Sequence, residues 1–364
     1  MRRVVVADGT SGSGLPAYFL IAMAAAITAV VVSYADPAAT SRALQSLLHQ
    51  SAAPLEVLVV DNDPGGATAR ALAAGGEPPT VRALHPGANL GYTGAANLAA
   101  REARGEWLFF LNPDATAAAD CLERMLAAVD GPDVAIVGAQ VLLPDGRINA
   151  GENPINIVGI SWSGGYGRAR EHGPARDTAA VSGAALMVRR EVFLELGGLC
   201  PSFFMYVDDT DLAWRVRVGG RRVRYCPDAV VVHDYEFDKG AHKWFYLERN
   251  RAWALLSNLR PGTLALLAPA LLMTEAAVLA RATREGWLRE KLHAWASLLA
   301  HAPELLRWRR SVQAARRVSD RQVLELFAGG IQTDLINTGM PRWVNPCMEG
   351  YRRLLLRVLE RSEH

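Results

Sequence analysis

Charge of one sign is what this chain of 364 residues lacks: 39 lysines and arginines stand against 37 aspartates and glutamates, a formal charge of +2. Without a basic excess there is no electrostatic footprint for a nucleic acid, and none is expected as a partner. Cysteine is scarce and scattered. Cys121, Cys200, Cys226 and Cys347 form no CxxC pair, which argues against a zinc ribbon or a disulfide scaffold and fits a reducing compartment. The GxxxxGK[ST] pattern is missing, and no strand-GxGxxG-helix arrangement occurs, so P-loop hydrolases and dinucleotide oxidoreductases lose support. Long uninterrupted apolar runs are missing as well. Residues 17–32 form an apolar run of about 16, short of the ~20 that a spanning helix needs. The run passes into ITAVVVSY, which reads as a buried strand, and DGTSGSG separates it from Arg2 and Arg3. An extension over residues 1–26 with little order of its own, not a cleaved signal, is expected before the first core strand.

What is present is a βαβ rhythm. ITAVVVSY is followed by a helical pattern over 37–50, opened by Pro37, with Leu44, Leu47 and Leu48 on one face. A second strand, LEVLVVDN, ends on Asp61 and Asn62. Continuous Val/Leu runs of this kind belong to a parallel sheet covered on both faces, so an α/β fold is predicted. Ligands in such sheets bind beyond the carboxyl ends of the strands. Asp61 is therefore a binding candidate, or equally the closing residue of an Asx turn. EWLFFL is a further strand, stopping on Asn112-Pro113-Asp114, with a helix expected over 115–129. A carboxylate just past a buried strand is held in a fixed place, as a divalent cation requires; the alternative is a helix cap. Residues 147–177 show little periodicity, and a loop of that length is functional or disordered. In 203–233, FFMYVDDTDLAWRVRVGGRRVRYCPDAVVVH, Asp208, Asp209 and Asp211 crowd one turn and a strand delivers His233. Like charges so close need a compensating cation, proton or helix N-terminus.

Taken in order, VVVSY (30–34), VLVVDN (57–62), NLGYTGAAN (89–97) and LFFLNPD (108–114) resemble the family-two glycosyltransferases, in their rhamnosyltransferase-like branch. VSGAALMVRREVFLELGG (181–198), FFMYVDDTDLAWR (203–215), PDAVVVH (227–233) and RNR (249–251) continue the match. The resemblance covers about residues 27–258 and implies a GT-A fold, a mostly parallel, Rossmann-like sheet sandwiched by helices. It implies that Asp61, with Ser33 and Tyr34, holds the nucleotide, and that Asn89, Gly91, Asn97 and Asn112 line the nucleotide-sugar site. Asp114 and His233 would bind Mg²⁺ or Mn²⁺, and Arg249 and Arg251 would face the diphosphate. Asp209 would be the general base, with Asp208, Asp211 and Trp214 supporting it on the acceptor side. The implied reaction transfers a sugar, first guess rhamnose from its thymidine diphosphate, with inversion, to a glycan or lipid-linked acceptor. The rivals are a non-catalytic nucleotide-sugar scaffold and a nucleotidyltransferase.

Residues 259–364 are expected to be helical. Residues 262–280 are apolar but carry Pro269 and Glu275, which count against a span. Beyond them Arg281, Arg284, Arg289, Arg307, Arg309 and Arg310 accompany Trp287, Trp295 and Trp308. That mixture suits an anionic lipid surface at the inner face of the cell membrane, or packing on the catalytic domain or a second copy of the chain.

Overall fold

A computed structural model describes residues 27–234, 240–332 and 342–362; the expected N-terminal extension lies outside the described residues. The chain opens with β1 (Ile27–Ser33), α1 (Pro37–Leu48), β2 (Glu56–Asp61), α2 (Ala67–Gly75), β3 (Val81–Leu84) and α3 (Gly91–Glu102). It continues through β4 (Trp107–Leu111), β5 (Ala115–Ala117), α4 (Cys121–Ala127), β6 (Val134–Leu142) and β7 (Ile148–Ala150). Three two-residue strands follow, β8 (Glu152–Asn153), β9 (Arg176–Asp177) and β10 (Ala180–Val181), then β11 (Ala185–Arg189) and α5 (Arg190–Glu195). The last strand, β12 (Arg222–His233), comes after α6 (Asp208–Val218). The remainder is helical: α7 (His242–Asn258), α8 (Pro261–Glu285), α9 (Leu288–Ala300), α10 (Ala302–Ala314), α11 (Asp320–Leu324) and α12 (Val344–Ser362).

The main sheet runs β3-β2-β1-β4-β11-β6-β12-β5, with β7 on β6 and β9 on β12. Strands β3, β2, β1 and β4 are mutually parallel, β11 is antiparallel to both its neighbours, and β12 runs parallel to β6. Alternation along the strands sends side chains to both faces. Val30, Val32, Leu58 and Val60 meet Ala95, Ala96 and Ala99 of α3. Ile27, Val31, Val57 and Val59 meet Leu44 and Leu47 of α1 and Leu122 and Met125 of α4. Both layers bury residues to near zero exposure, which is why these strands read as unbroken apolar runs.

The chain moves outward from β1 to β3 and then returns to β4 on the other side of β1. That reversal is a switch point, where a crevice opens beyond the carboxyl ends of the strands. Ser33 pairs level with Asp61 there, and Asn112 leaves β4 directly beside them.

Two elements differ from expectation. Residues 115–117 are a strand, not a helix: Ala115 pairs with His233 and Ala117 with Val231. The helix begins only at Cys121. The alanines suit a helix locally, but pairing with β12 takes precedence because it fixes the turn holding Asp114. The span 147–177, expected to be functional or disordered, carries the short strands β7, β8 and β9 and lines the crevice.

Candidate active site

The crevice is a cleft of about 820 Å³. It is lined among others by Tyr34, Asn89, Gly91, Asn112, Asp114, Asp208, Asp209, His233 and Arg251.

Asp208 and Asp209 open α6, where three acidic residues occupy the first turn and Arg215 and Arg217 stand in the last. That arrangement complements the helix dipole at both ends. Asp209 Oδ2 accepts from the Gly183 amide at 2.8 Å, and Oδ1 accepts from the Thr210 amide at 2.6 Å. The Thr210 hydroxyl lies 3.3 Å from Oδ1. Burial raises the Asp209 carboxyl above its ordinary value even against these donors. Asp208 is pushed up to about 8, first by burial and then by the neighbouring Asp209 charge. Asp209 has the donor set that suits a carboxylate, and burial together with the neighbouring charge favours a proton shared by the pair. Asp211 takes no part. It is fully buried, paired with Arg215 at 2.7 Å and accepting from Asn258 at 3.0 Å.

The segment before α6 is strained. Phe204, Tyr206 and Val207 all have φ near +65°, at 66°, 66° and 65°, a region that side chains other than glycine rarely adopt. Asn250 holds it: its buried amide donates to the carbonyls of Phe203 (3.2 Å), Met205 (2.8 Å) and Tyr206 (2.9 Å). Arg249 adds bonds to the Ser202 (2.6 Å) and Phe203 (2.9 Å) carbonyls. Gly91, at φ +68°, admits the same segment, since a Cβ there would stand 2.5 Å from the Phe204 carbonyl oxygen.

In the same cleft, His233 Nε2 lies 3.0 Å from Asp114 Oδ1. His233 Nδ1 lies 3.3 Å from Asn149 Oδ1, which can accept its hydrogen in the tautomer that leaves Nε2 open to a cation. A carboxylate and an imidazole nitrogen at this spacing fit a divalent cation that takes its other ligands from water and phosphate. Among the described residues no group of three or more His, Cys, Asp or Glu side chains could hold one alone.

Several expected donor-site residues lie elsewhere. Ser33 is buried, its Oγ meeting Thr40 (2.7 Å) and Thr68 (2.8 Å). The Asp61 carboxylate turns away from the cleft to accept from the amides of Asp63 (3.3 Å) and Ala69 (2.7 Å). Asn97 clamps Leu199, accepting from its amide and donating to its carbonyl, both at 2.8 Å. Trp214 is core, edge-on to Phe327 at 4.8 Å. Arg249 serves the strained segment. Arg251 does reach the cleft wall, but its guanidinium is committed to Glu248 at 2.9 Å, to Glu275 and to the Val158 carbonyl at 3.1 Å.

A family model for glycosyl transferase family 2 matches residues 28–197. The chain is 31% identical over 230 residues to an N-acetylglucosaminyl-diphospho-decaprenol L-rhamnosyltransferase of Mycobacterium tuberculosis, covering 56% of this chain and 74% of that protein. The chain belongs to glycosyltransferase family 2. An O-antigen biosynthesis protein of Myxococcus xanthus is 30% identical over 222 residues, which are 56% of this chain but 17% of that one. Among solved structures, GalNAc-T7 with UDP, GalNAc and Mn²⁺ matches at a TM-score of 0.52 and 13% identity. It shares 64% of this chain and 47% of its own, a likeness of fold, and that fold is GT-A.

In this glycosyltransferase four positioning residues were not anticipated: Gly183, Asn250, Asn149 and Asn62. Asn62 fixes the 89–91 turn, donating to Asn89 Oδ1 (3.0 Å) and the Gly91 carbonyl (3.2 Å) while accepting from the Leu90 amide (2.9 Å). Asn62 and Asn250 each sat beside a residue singled out from the sequence, within DN and RNR. Gly183 and Asn149 carried no signal, since their roles arise where separate segments meet.

Proposed function

We propose that this glycosyltransferase moves a sugar from a nucleoside diphosphate to an acceptor hydroxyl with inversion, using Asp209 as general base. The observation that carries the reading is one cleft lined both by the carboxylates Asp208 and Asp209 and by Asp114 with His233. The acceptor hydroxyl loses its proton to Asp209 while its oxygen attacks the anomeric carbon and the bond to the diphosphate oxygen breaks. A carboxylate whose pKa is raised by burial is a better base than an exposed one. One proton shared with Asp208 would keep the pair at a single negative charge. Asp114 and His233 Nε2 would hold Mg²⁺ or Mn²⁺, which supplies charge neutralisation for the departing diphosphate. Asn149 Oδ1, 3.3 Å from Nδ1, would accept the imidazole hydrogen in the tautomer this requires.

The likeness to the Mycobacterium tuberculosis N-acetylglucosaminyl-diphospho-decaprenol L-rhamnosyltransferase supports L-rhamnose as the sugar and a polyprenyl-diphosphate-linked saccharide as the acceptor. That acceptor chemistry supports a cytoplasmic enzyme working at the inner membrane face. Release of a nucleoside diphosphate from a panel of nucleotide-sugars, with sugar appearing on a lipid-diphosphate acceptor, tests the reading. Release of pyrophosphate would identify a nucleotidyltransferase, and binding without turnover a scaffold; either result sinks the proposal.

A further inference from the structure

Helix α8 is the one described helix long and apolar enough to cross a membrane, and its two faces differ sharply. One face is fixed to the protein. Thr263, Leu267 and Ala270 are buried, and Glu275 is ion-paired to Arg251 and, at 2.6 Å, to Lys291, with the Trp295 indole donating to it at 3.0 Å. Lys291 and Arg251 also share Glu248, so two acids and two bases tie α7, α8 and α9 into one neutral cluster. A helix so committed cannot stand alone in hydrocarbon, because its paired charges would have to leave their partners.

The other face is open. Leu266, Pro269, Leu272, Met273, Ala276 and Ala280 recur at helical spacing and are all exposed, Leu272 at 71% and Met273 at 63%. From residue 262 to 280 no exposed position of α8 is charged, a stripe of roughly 27 Å at the helical rise. Arg260 stands exposed before it and Arg284 after it, with Glu285 engaged by Arg281 at 2.8 Å. The same helix reaches the cleft: Val278 and Arg281 line it, next to the stacked rings of Trp244 and Trp287, whose centroids are 4.7 Å apart.

We infer that α8 lies flat in the headgroup layer of an anionic bilayer, stripe downward. The cleft, lined by Val278 and Arg281 from the other side of the same helix, then stands one helix diameter, ~10 Å, above the lipid. An apolar stripe with basic ends is the pattern of a helix that lies in the interface. Arg260 and Arg284 suit an anionic surface, whereas a two-fold pairing of the stripe with a second copy of the chain would set like charges against each other. A membrane-anchored acceptor would reach the cleft with its diphosphate-linked sugar without leaving the bilayer. The inference rests on reading the cleft as the transfer site.

The test is co-sedimentation of the full chain with phosphatidylcholine vesicles with and without phosphatidylglycerol, beside the thermal shift given by a nucleoside diphosphate with Mn²⁺. Wild type is expected to bind the phosphatidylglycerol vesicles, and Leu272→Glu and Met273→Glu each to weaken that binding about tenfold or more, with the thermal shift unchanged. Leu299→Glu, at a leucine 79% exposed on α9, is expected to bind as wild type does. No binding by wild type, equal loss in Leu299→Glu, or a stable dimer dispersed by Leu272→Glu would overturn the assignment. A missing thermal shift in wild type would instead strike the transfer-site reading, whatever the vesicles do.

Discussion

Asp209 and Asp208 are adjacent in sequence and differ in surroundings. Asp209 accepts from three donors, while Asp208, buried beside it, is pushed up to about 8 by burial and by the Asp209 charge. Asp209→Asn is expected to lower kcat by roughly 10²- to 10⁴-fold with donor affinity unchanged, as read by steady-state kinetics and calorimetry. The acid limb of the pH–kcat profile is expected to lie above the ordinary carboxylate range, because burial raises Asp209. Asp208 makes a separate stability prediction. Its folded pKa of about 8 exceeds the ordinary aspartate value of 3.8, so the folded state holds a proton that the unfolded state releases between those values. Its stabilising contribution is therefore fully present below pH 3.8 and is lost as pH rises toward 8. Asp208→Asn should leave stability unchanged near pH 4 and raise it by roughly 1 to 3 kcal/mol at pH 8, read by denaturant melts at both pH values. The aspartate cluster was legible in the sequence as a feature with a purpose. The division within it was not, because Asp211 turns inward only through Arg215 and Asn258, which come from the next helical turn and from α7.

At the scale of elements, the strained segment before α6 sets the direction in which Asp208 and Asp209 enter the cleft. Three left-handed residues persist there because Asn250 and Arg249 take up carbonyls of the segment at Ser202, Phe203, Met205 and Tyr206, and Gly91 leaves room. Asn250→Ala would orphan buried carbonyls and is expected to cost roughly 2 to 3 kcal/mol. It should also lower kcat more than it raises KM, whereas a merely structural role would leave kcat of the folded fraction intact. Asn149→Ala should weaken Mn²⁺-dependent nucleotide binding by about 10- to 100-fold, through loss of the His233 orientation, as read by titration calorimetry. Motif resemblance drew attention to RNR but assigned its arginines to the diphosphate. The contacts give Arg249 to the segment and Arg251 to Glu248 and Glu275. Strand β5 escaped for a related reason: Ala115 to Ala117 have no local strand preference, and only the pairing with β12 makes them one.

Across the whole molecule, the cleft exists because β1, β2 and β4 end together at the switch point while β12 brings His233 back beside Asp114. The parallel core was readable, since strands buried on both faces must be continuously apolar. The contribution of the C-terminal helices was not: Val278, Arg281 and Trp287 reach the cleft through long-range packing of α7, α8 and α9, which no local pattern records. Transfer as proposed divides two duties within one cleft, donor and metal at Asp114 and His233, proton transfer at Asp209. Calorimetric titration of a nucleoside-diphosphate sugar, with and without Mn²⁺, into wild type, Asp114→Ala and Asp209→Asn tests this most directly. Metal-dependent binding in wild type and Asp209→Asn, lost in Asp114→Ala, is the predicted result. Binding that ignores Mn²⁺, or survives Asp114→Ala undiminished, would contradict it.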